Sequence, residues 1–260
     1  MKIALAIEYV GTRYHGWQFQ DNATSVQAEV EQALGKIACH PIKIHCAGRT
    51  DKGVHASHQV VHFETTAERD LRAWYLGANT HLPRDINVVW AKVVDEKFHA
   101  RFSATSRAYH YIIYNNKIRP THYANGITWH AHSLNEQLMQ DAAQHLIGEH
   151  DFSSFRDKEC QAKHPVRTIE FINIKRHDAV IVLHIKANAF LHHMVRNIVG
   201  TLLPVGQEMK PGSWVSDVLA ACDRTQAGIT APSAGLYLTE VNYPEYFNLP
   251  SQQRKPWIIA

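Results

Sequence analysis

The stretch that says most about the fold and its chemistry is residues 47–56, which read AGRTDKGVHA. The two glycines allow close backbone approach or a positive φ, while a carboxylate, a guanidinium and an ammonium group are crowded into four positions. One interpretation is a tight turn in which Asp51 hydrogen-bonds its own backbone ahead of Gly53. The other is a reactive carboxylate presented on a polar loop. Taken alone, the segment favours the turn, because loops of this composition are mostly turns.

The sequence on both sides of this loop alternates between strand and helix patterns. Helices are predicted from Thr24, which forms a capping box with Gln27, and from Ser133 to Gly148. The remaining predicted segments are helices at 68–76 and 190–203 and strands at 2–9, 42–46, 59–63, 88–94, 108–114, 168–175, 179–187 and 235–243.

This order of segments predicts an α+β fold. The similar order in both parts of the chain suggests an internal duplication, although no residue-by-residue repeat is visible. We therefore expect an N-terminal α/β half at residues 1–105, which carries the loop with Asp51, and a C-terminal α/β half at residues 106–260.

Composition narrows the class of protein. The chain has 260 residues, of which 45% are hydrophobic and 20% are charged, as in ordinary globular proteins. No run is apolar enough to form a membrane helix, and the four cysteines form no CxxC pair, so we expect a soluble, cytoplasmic protein with reduced thiols. The formal net charge of +3 is compatible with a polyanionic partner and does not establish one.

Five further stretches, together with residues 47–56, carry a family resemblance. They are YVGTRYHGWQ at 9–18, FHARFSAT with RAY at 98–109, DFSSF at 151–155, NAFLHHMVRN at 188–197 and AGLYL at 234–238. In this order they resemble the tRNA pseudouridine synthase I family along nearly the whole chain. Because of this resemblance, a reactive carboxylate becomes the favoured interpretation of Asp51, in place of a simple turn.

The resemblance implies a pseudouridine synthase fold, with two ferredoxin-like or RRM-like halves and a mixed, mostly antiparallel sheet crossed by the active-site cleft. It also implies isomerisation of uridine to pseudouridine at positions 38, 39 and 40 of the tRNA anticodon stem-loop, by a homodimer that needs no metal or other cofactor. The sequence agrees with that chemistry, because it has no P-loop, nucleotide-binding glycine motif or HExxH motif.

The resemblance also assigns roles in the active site. Asp51 is the catalytic aspartate, which attacks the uracil or assists at the sugar, and Arg196 is the cation that keeps it ionised. Tyr109 stacks on the target base, and Leu236 lines the opposite side of the pocket. Arg49 binds phosphate or fills the space left by the flipped base. Without the resemblance, Arg196 is a surface residue, Tyr109 packs in a sheet and Leu236 lies in the core.

Several basic and aromatic residues are candidates for binding the RNA backbone. The FHARF stretch interleaves cations with aromatic rings, and the alternative is an ordinary solvated linker. The candidates are Phe98, His99, Arg101, Lys117, Arg69 and Lys163, with Arg119 beside them.

Two other functions stay open at this stage. One is a non-catalytic protein that binds structured RNA, although such a protein has no need of Asp51 facing phosphates. The other is a metal-dependent hydrolase that draws ligands from the many histidines. Its candidate ligands are His55, His58 and His62, or His192 and His193, and none has a convincing zinc spacing.

Overall fold

The computed structural model describes residues 1–250 and Pro256. The chain divides into two compact units, the first made of residues 1–105 and the segment from Tyr237 onward, the second of residues 106–236. No helix within the described residues is long and apolar enough to cross a membrane.

The strands are β1 (Lys2–Tyr9), β2 (His45–Cys46), β3 (His55–Glu64), β4 (Ile86–Val94), β5 (Ser106–Asn115), β6 (Thr128–His130), β7 (Gly148–Asp151), β8 (Val166–His177), β9 (Val180–Ala187) and β10 (Leu236–Asn242). The α-helices are α1 (Val26–Ala38), α2 (Ala78–His81), α3 (Glu136–Ala143), α4 (Met194–Gly206) and α5 (Ser213–Ala221). A π-helical turn at Ala73–Gly77 leads into α2.

The first unit is built around β1, which pairs with a strand on each of its edges and has almost all of its residues buried, on both faces of the strand. β3 and β4 run antiparallel to β1, β2 pairs antiparallel with β3, and β10 pairs parallel with β3. α1 buries a stripe formed by Val26, Val30, Ala33 and Leu34, as the helical spacing predicts.

The second unit has the strand order β5-β9-β8-β7, with antiparallel pairs along that path and β6 parallel to β5. α3 packs against α4, α5 and β8. α4 buries Ile198, Val199 and Leu202, which belong to the stripe that its sequence predicts. The predicted α+β class with mostly antiparallel strands is confirmed.

The residues that cap two helices differ from the prediction, and α4 begins at Met194, four residues after its predicted start. α1 is capped by Ser25, whose hydroxyl accepts the N–H of Ala28, whereas the Thr24 hydroxyl donates to the carbonyl of Arg13. α3 is capped by Asn135, not Ser133, because the Asn135 side chain accepts two N–H groups of the first turn. In both places neighbouring residues can cap a helix, and the tertiary contacts decide which one does.

The prediction also assigned all of residues 106–260 to the second half. The segment from Tyr237 onward instead groups with the first unit, because Tyr237 and Leu238 pair in parallel with His55 and Ala56 of β3. Parallel pairing between strands so distant in sequence leaves no local signal in the chain.

Candidate active site

The loop that carries Asp51 joins β2 to β3, and main-chain hydrogen bonds fix its path. The N–H of Trp17 donates to the carbonyl of Thr50 at 3.0 Å, and the N–H of Val54 donates to the carbonyl of Asp51 at 3.1 Å. Gly53 has φ of 76°, in the left-handed region that favours glycine. A tight turn is therefore present, closed by the main-chain atoms of Asp51 and Val54, and it holds the half-buried Asp51 on a defined backbone.

The stretch at 9–18 braces this loop. The Tyr9 hydroxyl and the Thr50 hydroxyl share a hydrogen bond of 2.7 Å, and the N–H of Gly11 donates to Nδ1 of His55 at 3.0 Å. Gly16 has φ of 96°, and a Cβ there would lie 2.8 Å from the Thr50 carbonyl oxygen. Close approach of the two backbones explains the glycine. The sequence showed this stretch as a motif but gave no role to its residues.

Arg49, which precedes Asp51 by two positions, is exposed on the same loop. Burial raises the pKa of the Cys46 thiol to about 12, and the charges of Arg49 and Arg101 act in the opposite direction. The N–H of Ala100, next to Arg101, donates to Nδ1 of His62 on β3, and His62 pairs with His45 of β2. Arg101 therefore lies beside the two strands that the loop with Arg49 connects.

In the second unit, Tyr109 lies on β5 opposite Ile185 of β9 and is 8% exposed. Its ring meets Phe190 edge to face, with centroids 5.0 Å apart and an interplanar angle of 85°. Leu236 is 5% exposed, and its N–H donates to the carbonyl of Ser233. The Tyr109 ring is thus held in a fixed orientation by packing.

Arg196 is half-buried near the start of α4. Its Nε donates to the carbonyl of Ala231 at 2.8 Å, while the N–H of Ala231 donates to the carbonyl of Arg196 at 3.1 Å. The interpretation as a solvent-facing helix residue is wrong, because the guanidinium is anchored to a loop 35 residues away in sequence.

The buried side chain of Asn197 anchors the same turn of α4. Its amide nitrogen donates to the carbonyl of Phe155 at 2.9 Å, and its oxygen accepts from Arg224 at 3.1 Å and from the Thr230 hydroxyl at 2.7 Å. Breaking such a network is costly, because a buried polar group loses its partners. The sequence gave Asn197 no role beyond its place in the motif.

Asp157 ties down the residue before α4. Its Oδ2 lies 2.8 Å from Nδ1 of His193, which has φ of 60°, and its N–H donates to the carbonyl of His192. Burial opposes ionisation of Asp157, but hydrogen bonds from the N–H of Glu159 and from His193 lower the pKa of the carboxyl below its usual value. The sequence did not single out Asp157, since it lies outside the recognised stretches.

The candidates for RNA contact differ in their surroundings. Phe98 is 0% exposed and packs between Tyr243 and Phe247, so its assignment to RNA binding is wrong. The exposed aromatic residue of that stretch is Phe102, at 76%. Arg69 donates from Nε to the carbonyl of Ile37 near the end of α1. The candidates with exposed side chains are Arg69, Arg101, Lys117, Arg119 and Lys163, and His99 is half-buried.

The histidines proposed as metal ligands on β3 have structural partners. Nδ1 of His55 accepts the N–H of Gly11, and Nδ1 of His62 accepts the N–H of Ala100. Burial, followed by the nearby His99 and His45, lowers the pKa of His62 to about 3, so its ring is neutral in the fold. These bonds explain two of the three histidines without a metal.

Comparison with known proteins agrees with the arrangement of these stretches. A family model described as tRNA pseudouridine synthase matches residues 5–103 and 142–244. A protein of Pseudoalteromonas atlantica named tRNA pseudouridine synthase A is 56% identical over 260 residues, covering 100% of this chain and 99% of the relative. A protein of the same name from Salmonella paratyphi B is 54% identical over 259 residues, covering 100% of this chain and 96% of the relative.

The matched ranges include the loop with Asp51, its brace at 9–18 and the anchored start of α4. The identity extends over the full chain, so both units share in the likeness. The chain therefore belongs to the tRNA pseudouridine synthase family.

Proposed function

We propose that this protein isomerises uridine to pseudouridine in tRNA, at positions 38, 39 and 40 of the anticodon stem-loop. The observation that carries the proposal is identity of 54–56% along the full chain with relatives named tRNA pseudouridine synthase A. In the reaction the bond from N1 to C1′ breaks, a bond from C5 to C1′ forms, C5 loses a proton and N1 gains one. Atoms and electrons balance within the substrate, so the reaction needs no co-reactant.

Asp51 acts as the catalytic carboxylate. The loop geometry supports this role, because main-chain bonds set the path of the backbone and leave the side chain only half-buried. A carboxylate can add to the uracil ring or assist departure from C1′, and both routes need it ionised. Asp51 must therefore keep its charge while RNA shields it from water.

Arg196 supplies the cation for that purpose, as the family resemblance implies. Its Nε bond to the Ala231 carbonyl limits rotation of the guanidinium, so the charged group has a defined position. An opposite charge within about 4–6 Å lowers the pKa of a carboxyl. The role is electrostatic, and it differs from that of Asn197, which anchors the helix.

Tyr109 and Leu236 bind the flipped uracil. An extruded base loses its stacking neighbours in the RNA, and the aromatic face of Tyr109 replaces them. Phe190 meets Tyr109 edge-on, which fixes the ring before substrate arrives. Arg49 is exposed on the loop with Asp51 and either binds phosphate or occupies the position that the base vacates.

The partners follow from the substrate. Arg101, His99, Lys117 and Lys163 contact the RNA backbone, and the protein works as a homodimer in the cytoplasm, without a metal or other cofactor. Exposed cations in the first and second units support the RNA contact. The homodimer and the cofactor independence rest on the family resemblance.

The decisive experiment is incubation of the protein with an unmodified tRNA transcript, followed by nucleoside mapping of the anticodon arm. We expect pseudouridine at one or more of the three positions, and none with Asp51→Asn. Tight binding without product contradicts the proposal and favours a non-catalytic RNA-binding protein. A rate that collapses on chelation and returns with zinc, in magnesium sufficient to fold the tRNA, favours the hydrolase.

A further inference from the structure

The loop that follows β4 presents an exposed aromatic ring on a rigid backbone. Phe102 is 76% exposed. Nδ1 of His99 accepts the N–H groups of Arg101 and Phe102 at 3.1 and 3.3 Å, and the Ser103 hydroxyl accepts the N–H of His99 at 3.0 Å. The N–H of Ser103 donates back to the carbonyl of His99. The loop is therefore ordered before any partner binds.

A series of rings supports Phe102 from below. Its centroid lies 4.3 Å from that of His99, and His99 lies 4.6 Å from His62. His62 meets Phe98, which is fully buried. Burial, followed by the charges of His45, Lys2 and Arg101, lowers the pKa of His99, which favours the neutral ring that can accept both N–H groups. The exposed ring thus rests on a series of ring contacts, one tilted and two edge to face, that reaches the core.

A cation flanks the exposed ring. The Arg101 guanidinium lies 5.6 Å from the centroid of Phe102, within cation–π range. The N–H of Ala100, next to Arg101, donates to His62 of β3, which pairs with β2, so the ring lies beside the two strands that the loop with Arg49 and Asp51 connects. An aromatic ring beside cations matches nucleic acid, whose bases stack and whose phosphates carry negative charge.

We propose that Phe102 is a stacking platform for an unpaired nucleobase of the RNA substrate and that Arg101 binds the adjoining phosphate. The proposal rests on the proposed function, because it takes tRNA as the ligand. It assigns a contact outside the pocket for the target base, which Tyr109 and Leu236 serve. Its occupant is RNA rather than a second copy of the chain, because the cations of this surface complement phosphate.

The test compares Phe102→Ala, Phe102→Leu and Phe102→Trp in the full-length protein, with an unmodified tRNA transcript as the probe. Fluorescence anisotropy measures the Kd for this tRNA, and single-turnover kinetics at saturating RNA measure the rate of pseudouridine formation. We expect the alanine and leucine variants to raise Kd about tenfold, since stacking is sensitive to loss of the aromatic face. The tryptophan variant should bind tRNA as tightly as the wild type. The rate at saturating RNA should change less than about twofold in all three variants.

Tyr246→Ala is the matched control, because Tyr246 is 79% exposed in the same unit but follows Glu245 rather than a cation. Its Kd should equal that of the wild type. Arg101→Gln should lower the slope of log Kd against log salt by about one unit, as expected for one lost phosphate contact. Truncating a ring that is mostly in solvent leaves no cavity, so the Phe102 variants should fold.

An unchanged Kd in Phe102→Ala, or wild-type binding by Phe102→Leu, overturns the proposal. If Phe102→Ala instead loses the dimer in sedimentation and regains RNA affinity at high protein concentration, that result also overturns the proposal and favours a contact between two copies of the chain. Failure of the wild type to form pseudouridine contradicts the proposed function alone. Normal pseudouridine formation with no effect of Phe102 variants contradicts the platform alone.

Discussion

The loop with Asp51 and the start of α4 are held by different kinds of interaction. Main-chain hydrogen bonds and glycines fix the loop, with Gly16 lying against the Thr50 carbonyl. Side-chain hydrogen bonds fix the helix start, through Asn197 and Asp157. The loop should therefore be sensitive to an added Cβ, and the helix start to a removed polar group.

This difference in support also matches the different roles proposed for Asp51 and Arg196. A loop whose path is set by main-chain hydrogen bonds presents Asp51 on a fixed backbone, as a catalytic group requires. The Arg196 side chain is anchored at Nε, so its guanidinium has a fixed position, as a group that acts through its charge requires. The predictions below separate chemistry from support in each region.

The largest effect is expected for Asp51→Asn. The amide is isosteric but cannot act as a nucleophile, so the rate of pseudouridine formation should fall by at least about 10⁴-fold. The measurement is single-turnover kinetics on unmodified tRNA. Thermal unfolding and tRNA affinity should stay near wild type, since the loop is held by its backbone. Appreciable residual activity would assign catalysis to another carboxylate.

A smaller loss is expected at Arg196, where two variants separate charge from packing. Arg196→Met keeps much of the apolar stem and removes the charge, and it should lower the rate about 10²–10³-fold. Arg196→Lys keeps the charge and should retain more activity. In the methionine variant the acidic limb of the pH–rate profile should move to higher pH, because Asp51 becomes harder to ionise.

Equal rates for the two Arg196 variants, with an unmoved acidic limb, would remove Arg196 from control of the Asp51 charge. The residue would then serve as a support for Ala231 only. In that case both variants should lose stability by similar amounts.

Gly16→Ala tests whether the loop depends on close backbone approach. The new Cβ would lie 2.8 Å from the Thr50 carbonyl oxygen at a residue with φ of 96°, so we expect a loss of about 1–3 kcal/mol in the free energy of unfolding. The rate should fall by about tenfold or more, because the backbone next to Asp51 shifts. Urea unfolding and kinetics measure the two effects.

Gly35→Ala is the matched control within the same unit. Gly35 lies in α1, and the nearest atom to its added Cβ would be the His40 carbonyl oxygen at 3.4 Å. Alanine favours helix, so this variant should be neutral or slightly more stable and fully active. Equal losses in both variants would show that the brace at Gly16 has no special role.

The smallest effect is expected for Asp157→Asn, which weakens the bond to His193 ahead of α4. We expect a loss of about 1 kcal/mol in stability near neutral pH and a rate reduced by about threefold. The folded-state pKa of this carboxyl is lowered, so its contribution is present above the unfolded pKa and is lost as pH falls through the folded pKa. The stability difference between wild type and variant should therefore shrink on acidification.

Regular periodicity made much of the fold predictable. Helical spacing in α1 and α4 identified each helix and its buried side. Alternation identified β1 as a strand, but it is typical of a strand buried on one face, whereas β1 is buried on both. Helix caps were less certain, because adjacent residues such as Thr24 and Ser25 can both cap a helix. The parallel pairing of β10 with β3 had no local signature at all.

The site was only partly predictable for a related reason. Motif resemblance identified Asp51 and Arg196, but their supports come from residues distant in sequence, such as Ala231. In the irregular stretch after β4, no period of two or 3.6 residues shows which ring points inward. Phe98, which was predicted to contact RNA, is therefore buried in the core, and Phe102, for which the sequence predicted no role, is exposed.

The parallel pairing of β10 with β3 has a consequence for the order of folding during synthesis. Tyr237 pairs with His55, roughly 180 residues earlier in the chain, so the first unit depends on a contact of very long sequence separation. The second unit, residues 106–236, is continuous and is synthesised before all but the first residue of β10. The first unit, whose strands β1 to β4 all precede the second unit in sequence, is therefore completed last, and until then the edge of β3 at His55 and Ala56 lacks its partner strand.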